Sequence, residues 1–346
     1  MSKLGIGGVV YEWLENFLCN RPQAVRVGNN YSALQIATSG VAQGTLLGPL
    51  AFLLYINDMS NCVQSNSSTI RLFADDTKLY AINPTTDDCF RFYDDILSLH
   101  EWCEEWQVKM NYSKCNVLHL GPRNLNMPYR IENVLIPDVR SCRDLGVIIS
   151  RNCKFEEHCR NISRNGHFKC LQFRLSFASK NHDFLVSLYV TYIRPTLEYA
   201  SPIWSPYYIK DVDRVEAVQR KFTKYLPGMF RKSYQQRLSE LNLKTLEERR
   251  ISLDIILLYK IIKKLIDIPF DSYFTFSTNR TRGHEYKLYV NSTRINCFKY
   301  HFCNRVVKYW NALPREVVAL ENLVQFKRTI SEMDFTQYCI GRAHQT

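Results

Sequence analysis

Apolar residues recur at helical spacing through Val10, Trp13, Leu14, Phe17 and Leu18, which predicts a helix over Val9 to Leu18 that Asn20-Arg21-Pro22 ends. Ala24 to Val27 and Leu34 to Thr38 read as strands around a turn at Gly28-Asn29-Asn30. Between Ser39 and Pro49 three glycines mark an irregular loop whose backbone must lie close to something. Pro49 then suits the first turn of a helix running through Phe52, Leu53, Tyr55 and Ile56 to Asn57-Asp58. Thr69 to Ala74 alternates as a strand, Asp75-Asp76 fits a two-residue turn, and Lys78 to Ile82 returns as the partner strand. Cys89 to Trp106 carries Phe92, Ile96, Leu99, Trp102 and Trp106 on one stripe and predicts an amphipathic helix. Cys115 to Leu120 and Leu145 to Ile149 read as strands. From about residue 155 the pattern is helical, most clearly over Leu185 to Ile193, Val212 to Leu226 and Leu246 to Ile266. Asp267 to Thr281 is a less regular link, followed by helical runs at Cys303 to Trp310 and from Leu323.

Composition narrows the class. Apolar residues are 46% of 346, enough for a folded core rather than a disordered tail. The charge is uneven: residues 1–110 hold seven Lys and Arg against twelve Asp and Glu, and the remainder holds 38 against 21. An acidic front before a basic back suits a metal-binding part joined to a polyanion-binding part, although solvated lysine faces give the same imbalance. The 12 cysteines include no C-x-x-C pair, which argues against a zinc finger, and reduced intracellular thiols are expected in the cytoplasm or nucleus. No apolar run is long enough for a membrane span.

Asp75 and Asp76 are the first candidates for chemistry. Nucleotidyl transfer uses two divalent cations about 3.5–4 Å apart, and Mg²⁺ takes carboxylate oxygens at roughly 2.0–2.1 Å. A tight turn can hold such a pair out from a rigid strand ladder, and the small Ala74 beside it lets a primer end approach. Alone, Asp-Asp is an ordinary turn dipeptide. The Ser39–Pro49 loop adds Gln43 and Gly44, which can press against a base pair. Lys114, after Asn111-Tyr112-Ser113, can neutralise or protonate a leaving pyrophosphate, or can simply be a solvated lysine.

Order and spacing go further. Ser39-Gly40-Val41-Ala42-Gln43-Gly44-Thr45-Leu46-Leu47-Gly48-Pro49 resembles the Ser-Gly-Val-Pro-Gln-Gly-Ser-Val-Leu-Gly-Pro loop of the reverse transcriptases of non-LTR retrotransposons, of the jockey type. Leu54-Tyr55-Ile56-Asn57-Asp58 is similar to that family's next helix, and Phe73-Ala74-Asp75-Asp76-Thr77-Lys78-Leu79-Tyr80 to its catalytic hairpin. Trp106 through Lys114-Cys115 resembles the following motif, and Leu145-Gly146-Val147 the primer-grip strand. The likeness continues through Tyr192 to Ser201, Glu216 to Thr223, Asn304 to Val307 and Trp310 to Pro314.

The resemblance implies an α+β fold. Residues 1–150 would be a partial polymerase palm built on an antiparallel sheet, 151–266 an α-helical thumb, and 267–346 a C-terminal region without an assigned role. It implies that Asp75 and Asp76 bind Mg²⁺, or Mn²⁺ in its place. Gln43, Gly44, Phe73 and Ala74 would face template or nucleotide, Lys114 the triphosphate, and Leu145-Gly146 the primer end. The implied partners are an RNA template, a DNA primer paired to it as an RNA–DNA hybrid, and dNTPs. Two departures inside the loop, Ala42 for Pro and Thr45 for Ser, are mild. The family's first metal-binding Asp precedes the helix that here occupies Val9 to Leu18, whereas the first Asp of this sequence is Asp58. The expectation is therefore an N-terminally truncated domain without its fingers, inactive as a polymerase by itself and with a bare sheet edge. A non-catalytic nucleic-acid-binding protein and the product of a decayed element are the competing readings.

Overall fold

The computed structural model describes residues 5–63, 68–82, 85–277 and 284–344. The chain divides into two compact units, one of residues 1–117 with 123–138 and the other of 118–122 with 139–346. The contact boundary thus falls before the Leu145 region.

In the first unit, α1 (Gly8–Leu18) leads into two nested antiparallel ladders. β1 (Arg21–Gln23) pairs with β4 (Gln35–Ala37) and encloses the hairpin of β2 (Arg26–Val27) and β3 (Asn30–Tyr31). The glycine loop follows, then α2 (Leu47–Ile56), which tightens into a 3-10 turn at Asn57–Cys62. β5 (Ser68–Phe73) and β6 (Asp76–Ala81) pair in register from Ser68↔Ala81 to Phe73↔Asp76. α3 (Thr86–Glu105) starts at Thr85, whose hydroxyl accepts from the Asp88 amide while the Asp88 carboxylate takes the Thr85 amide, a reciprocal cap. Its buried Leu99, Trp102 and Cys103 close the core. Ile56 and Met59 come from the α2 side and Ile70 from β5. A short hairpin, β7 (Arg130–Ile131) with β8 (Val134–Leu135), packs Tyr129 and Ile131 against Ile96.

The second unit opens with the hairpin of β9 (Ser141–Asp144) and β10 (Val147–Ser150). Helices α4 (Glu156–Ser176) and α5 (His182–Leu188) follow. α5 continues through a π turn at Tyr189–Ile193 into α6 (Arg194–Glu198), where the Arg194 amide reaches back five residues to the Tyr189 carbonyl. Pro195, which has no amide hydrogen to give, sits at the change of winding. Next come α7 (Ser201–Trp204), α8 (Ile209–Tyr225), α9 (Tyr234–Glu240) and α10 (Leu246–Ile262). The last helices are α11 (Asn296–Lys299), α12 (Phe302–Asn311), α13 (Arg315–Val318) and α14 (Leu323–Glu332). One core gathers Cys159, Tyr189, Ile193, Leu197, Trp204, Val215, Val218 and Leu246. A second gathers Ile255, Leu258 and Tyr259 of α10 with Val306, Trp310, Phe326 and Ile330. α10 belongs to both, so the residues after 266 are packed onto it rather than tethered beyond it. Arg305 fixes this join, donating to the Asp254 carboxylate at 2.7 and 2.9 Å and to the Pro202 carbonyl at 2.7 Å.

The α+β class holds, and among the described residues the antiparallel pairing is divided among five two-stranded ladders. Two strand expectations change. Cys115 to Leu120 is reduced to a single bridge between Val117 and Asp138. Leu145 and Gly146 are not strand residues but the two-residue tip between Asp144 and Val147. Their φ values of +43° and +87° suit the hairpin turn whose twist matches its strands.

Candidate functional site

The glycine loop is held at both ends by side chains. Arg21, the first residue of β1, donates from Nε to the Leu18 carbonyl at 2.9 Å and from Nη2 to the carbonyls of Ser39 and Gly40. Thr45 closes the other end: its hydroxyl donates to the Ala42 carbonyl at 2.8 Å and accepts from the Gly48 amide at 3.0 Å, capping α2 from two residues before its formal start. Gly48 is needed for close approach, because a Cβ there would sit 2.6 Å from the Ala42 carbonyl oxygen. Gly44 has φ +78°, so the chain reverses there, and Gln43 and Gly44 are left exposed on the bend. Thr45 and Ser are interchangeable in this role, since each supplies one hydroxyl.

At the other candidate, the turn is shifted by one residue from expectation. Phe73 pairs with Asp76, so the tip is Ala74-Asp75 and Asp76 is the first residue of β6. Register decides this, since six consecutive cross-strand pairs leave only two residues for the loop. Ala74 carries φ +50°, a conformation that costs an L-residue about 1 kcal/mol or more. Both carboxylates and the Phe73 ring are exposed. Neither carboxylate makes a hydrogen bond or ion pair among the described residues. Below the tip, the Thr77 hydroxyl meets the buried Met59 sulfur at 3.5 Å. The hairpin and the α2 segment that follows Gln43 and Gly44 therefore share one core. No hydrogen bond or ion pair joins the loop to the tip among the described residues.

Lys114 lies in the same unit, exposed on a turn in which its amide donates to the Asn111 carbonyl at 3.0 Å. It is not bonded to either aspartate. Among the described residues no cluster of three or more His, Cys, Asp or Glu side chains is arranged to hold a metal.

Leu145 and Gly146 belong to the second unit, where two residues the sequence did not single out hold their hairpin. The Tyr199 hydroxyl donates to the Leu145 carbonyl at 3.1 Å, and a Cβ on Gly146 would lie 3.2 Å from the Tyr199 ring. His158, on α4, accepts the Ile148 amide at Nδ1 (3.2 Å), and its ring lies 5.0 Å from that of Trp204. Burial, reinforced by nearby Arg143, pushes His158 down to about 4, so the imidazole is neutral and acts as an acceptor. Tyr199 stood within a quoted motif, but nothing in the spacing assigned it to this turn, and His158 had no sequence signal at all.

Residues 3–149 match the family model of the reverse transcriptase (RNA-dependent DNA polymerase). The chain is 28% identical over 225 residues to the probable RNA-directed DNA polymerase from transposon X-element of Drosophila melanogaster, covering 62% of this chain and 24% of that protein. It is 25% identical over 256 residues to the corresponding protein from transposon BS of the same fly, covering 69% and 28%. To the RNA-directed DNA polymerase from mobile element jockey of Drosophila melanogaster it is 24% identical over 232 residues, covering 63% and 25%. The chain spans about a quarter of the length of these relatives.

Proposed function

We propose that residues 3–149, a reverse transcriptase domain homologous to those of Drosophila non-LTR transposon polymerases, supply the carboxylate hairpin and nucleotide loop of an RNA-directed DNA polymerase. The observation that carries this reading is the Asp75-Asp76 pair, exposed and, among the described residues, without a basic partner, on a turn strained at Ala74. Two adjacent exposed carboxylates offer the hard oxygen donors that Mg²⁺ or Mn²⁺ takes, so the residues present fit that ion as part of its ligand set. Bound divalent cations would polarise the triphosphate and the primer hydroxyl. Gln43 and Gly44 face the nascent base pair, Phe73 and Ala74 flank the primer end, and Lys114 lies toward the triphosphate. In the second unit, Leu145-Gly146 supports the primer strand, and the helices from 151 to 266 grip the RNA–DNA hybrid through phosphate contacts. Two carboxylates alone hold two cations poorly. Because no third ligand joins them among the described residues, we expect the chain by itself to bind nucleotide without extending a primer.

The test is formation of a ternary complex. With an RNA template, a recessed DNA primer and Mn²⁺, the chain should retain the next correct dNTP, and Asp75→Asn/Asp76→Asn should lose it while still binding the hybrid. Equal retention by both proteins would refute the assignment. Hybrid binding without any nucleotide retention by the wild type would favour the non-catalytic binding protein.

A further inference from the structure

We propose that α4 and α8 together form a binding face for single-stranded nucleic acid, on which the rings of Tyr225 and Phe230 stack against unpaired bases. This goes beyond the duplex contact proposed above and does not depend on the Asp75-Asp76 site. The face is built from two stretches of sequence with no acidic residue. Between Glu157 and Asp183, and again between Glu216 and Glu240, there is no Asp or Glu, yet the two stretches hold eleven Lys and Arg. The helices pack together closely: a Cβ on Gly166 would lie 3.0 Å from both Leu197 and Val218. Two acid-free segments therefore lie side by side in one unit.

The cations and the rings meet at the C-terminal ends of these helices. The Arg174 guanidinium lies 5.2 Å from the centre of the Tyr225 ring, and the Lys221 ammonium 5.9 Å from it. Lys224 lies 4.7 Å from the centre of the Phe230 ring. None of these three cations has a carboxylate partner among the described residues, so their charge is not neutralised by the protein. The rings are too exposed to serve the core, Tyr225 at 54% and Phe230 at 70%. Leu175, at 74%, extends the apolar surface on α4. A large ring held open beside unpaired cations suits a ligand with alternating flat bases and phosphates. A closed duplex offers phosphates to such a face but hides its base faces, so the rings select for single strands.

The experiment is fluorescence anisotropy of the full chain with labelled 20-mers: oligo-U, oligo-dT and a fully paired RNA–DNA hybrid. Oligo-U and oligo-dT are read separately to tell an RNA preference from a DNA one. Tyr225→Ala/Phe230→Ala should weaken single-strand binding at least about tenfold while moving hybrid binding no more than about threefold. Lys221→Ala/Lys224→Ala should weaken all three ligands and flatten the salt dependence. Both ring positions are exposed, so the double variant should melt like the wild type, and its circular dichroism checks this. Unchanged single-strand binding in the ring variant, or an equal loss on the hybrid, would overturn the proposal.

Discussion

The Tyr199 hydroxyl donates to the Leu145 carbonyl at 3.1 Å, and the same ring crowds Gly146, where a Cβ would lie 3.2 Å from it. One residue thus sets both the position and the composition of the β9–β10 tip. Gly146→Ala meets two obstacles, a φ of +87° and the Tyr199 ring, and should destabilise the second unit by about 1–3 kcal/mol. Tyr199→Phe removes only the hydrogen bond and should cost about 0.5–1.5 kcal/mol. Urea unfolding of the three proteins checks the order.

Thr45 acts through its hydroxyl, so Thr45→Ser should be nearly neutral. Thr45→Val keeps the shape but leaves the Ala42 carbonyl and the Gly48 amide without that partner, and should cost about 1 kcal/mol. Gly48→Ala should do more, because the Ala42 carbonyl must move to admit it. Protease sensitivity of the 39–48 loop, compared across the variants, reports the loosening.

His158 sets a pH dependence. Its folded value of about 4 lies below the ordinary histidine range near 6.5, so the unfolded chain binds the extra proton between these two values. The stability it contributes is fully present above about pH 6.5 and is lost as pH falls towards 4. The buried carboxyls Glu216, Asp211 and Asp254 are pushed up by desolvation and act in the opposite direction. The difference between the wild type and His158→Asn isolates the histidine. That difference should shrink by up to about 2–3 kcal/mol from pH 7 to pH 4, measured by denaturant unfolding at each pH.

The front of the first unit exposes Val9 at 80%, Val25 at 68%, Val27 at 73%, Leu34 at 74% and Ile36 at 62%, with Val27 and Ile36 on short ladders with open edges. Such surface promotes self-association. Light scattering of the purified chain should show oligomers or aggregates growing with concentration, and Val27→Lys/Ile36→Lys should reduce them.

Long elements were legible because their apolar period is strong: α1, α3, α8, α10 and α12 lie within a few residues of the expected spans. α4 was less so, although it is the longest helix described. Among its buried residues His158, Cys159, Ile162, Ser163 and Gly166, only Ile162 is aliphatic, so it carries no aliphatic stripe. Turn tips differ from expectation by one or two residues, since a dipeptide such as Asp75-Asp76 does not reveal which cross-strand pairs form. The motifs after residue 190 were visible as patterns, and their meaning appears only in three dimensions. Gln219 accepts from the Tyr189 hydroxyl at 2.9 Å and donates to Tyr234 and to the Lys244 carbonyl. Asn311 bonds both the amide and the carbonyl of Leu288 at 2.8 Å. These residues satisfy polar groups of segments far away in sequence, which no local spacing can signal.

The proposed chemistry depends on the carboxylate pair, and Mn²⁺ titration followed by electron paramagnetic resonance tests it directly. In the presence of template, primer and dNTP, the wild type should remove free Mn²⁺ signal in a saturable step that Asp75→Asn/Asp76→Asn abolishes. Identical titrations for the two proteins would contradict the assignment.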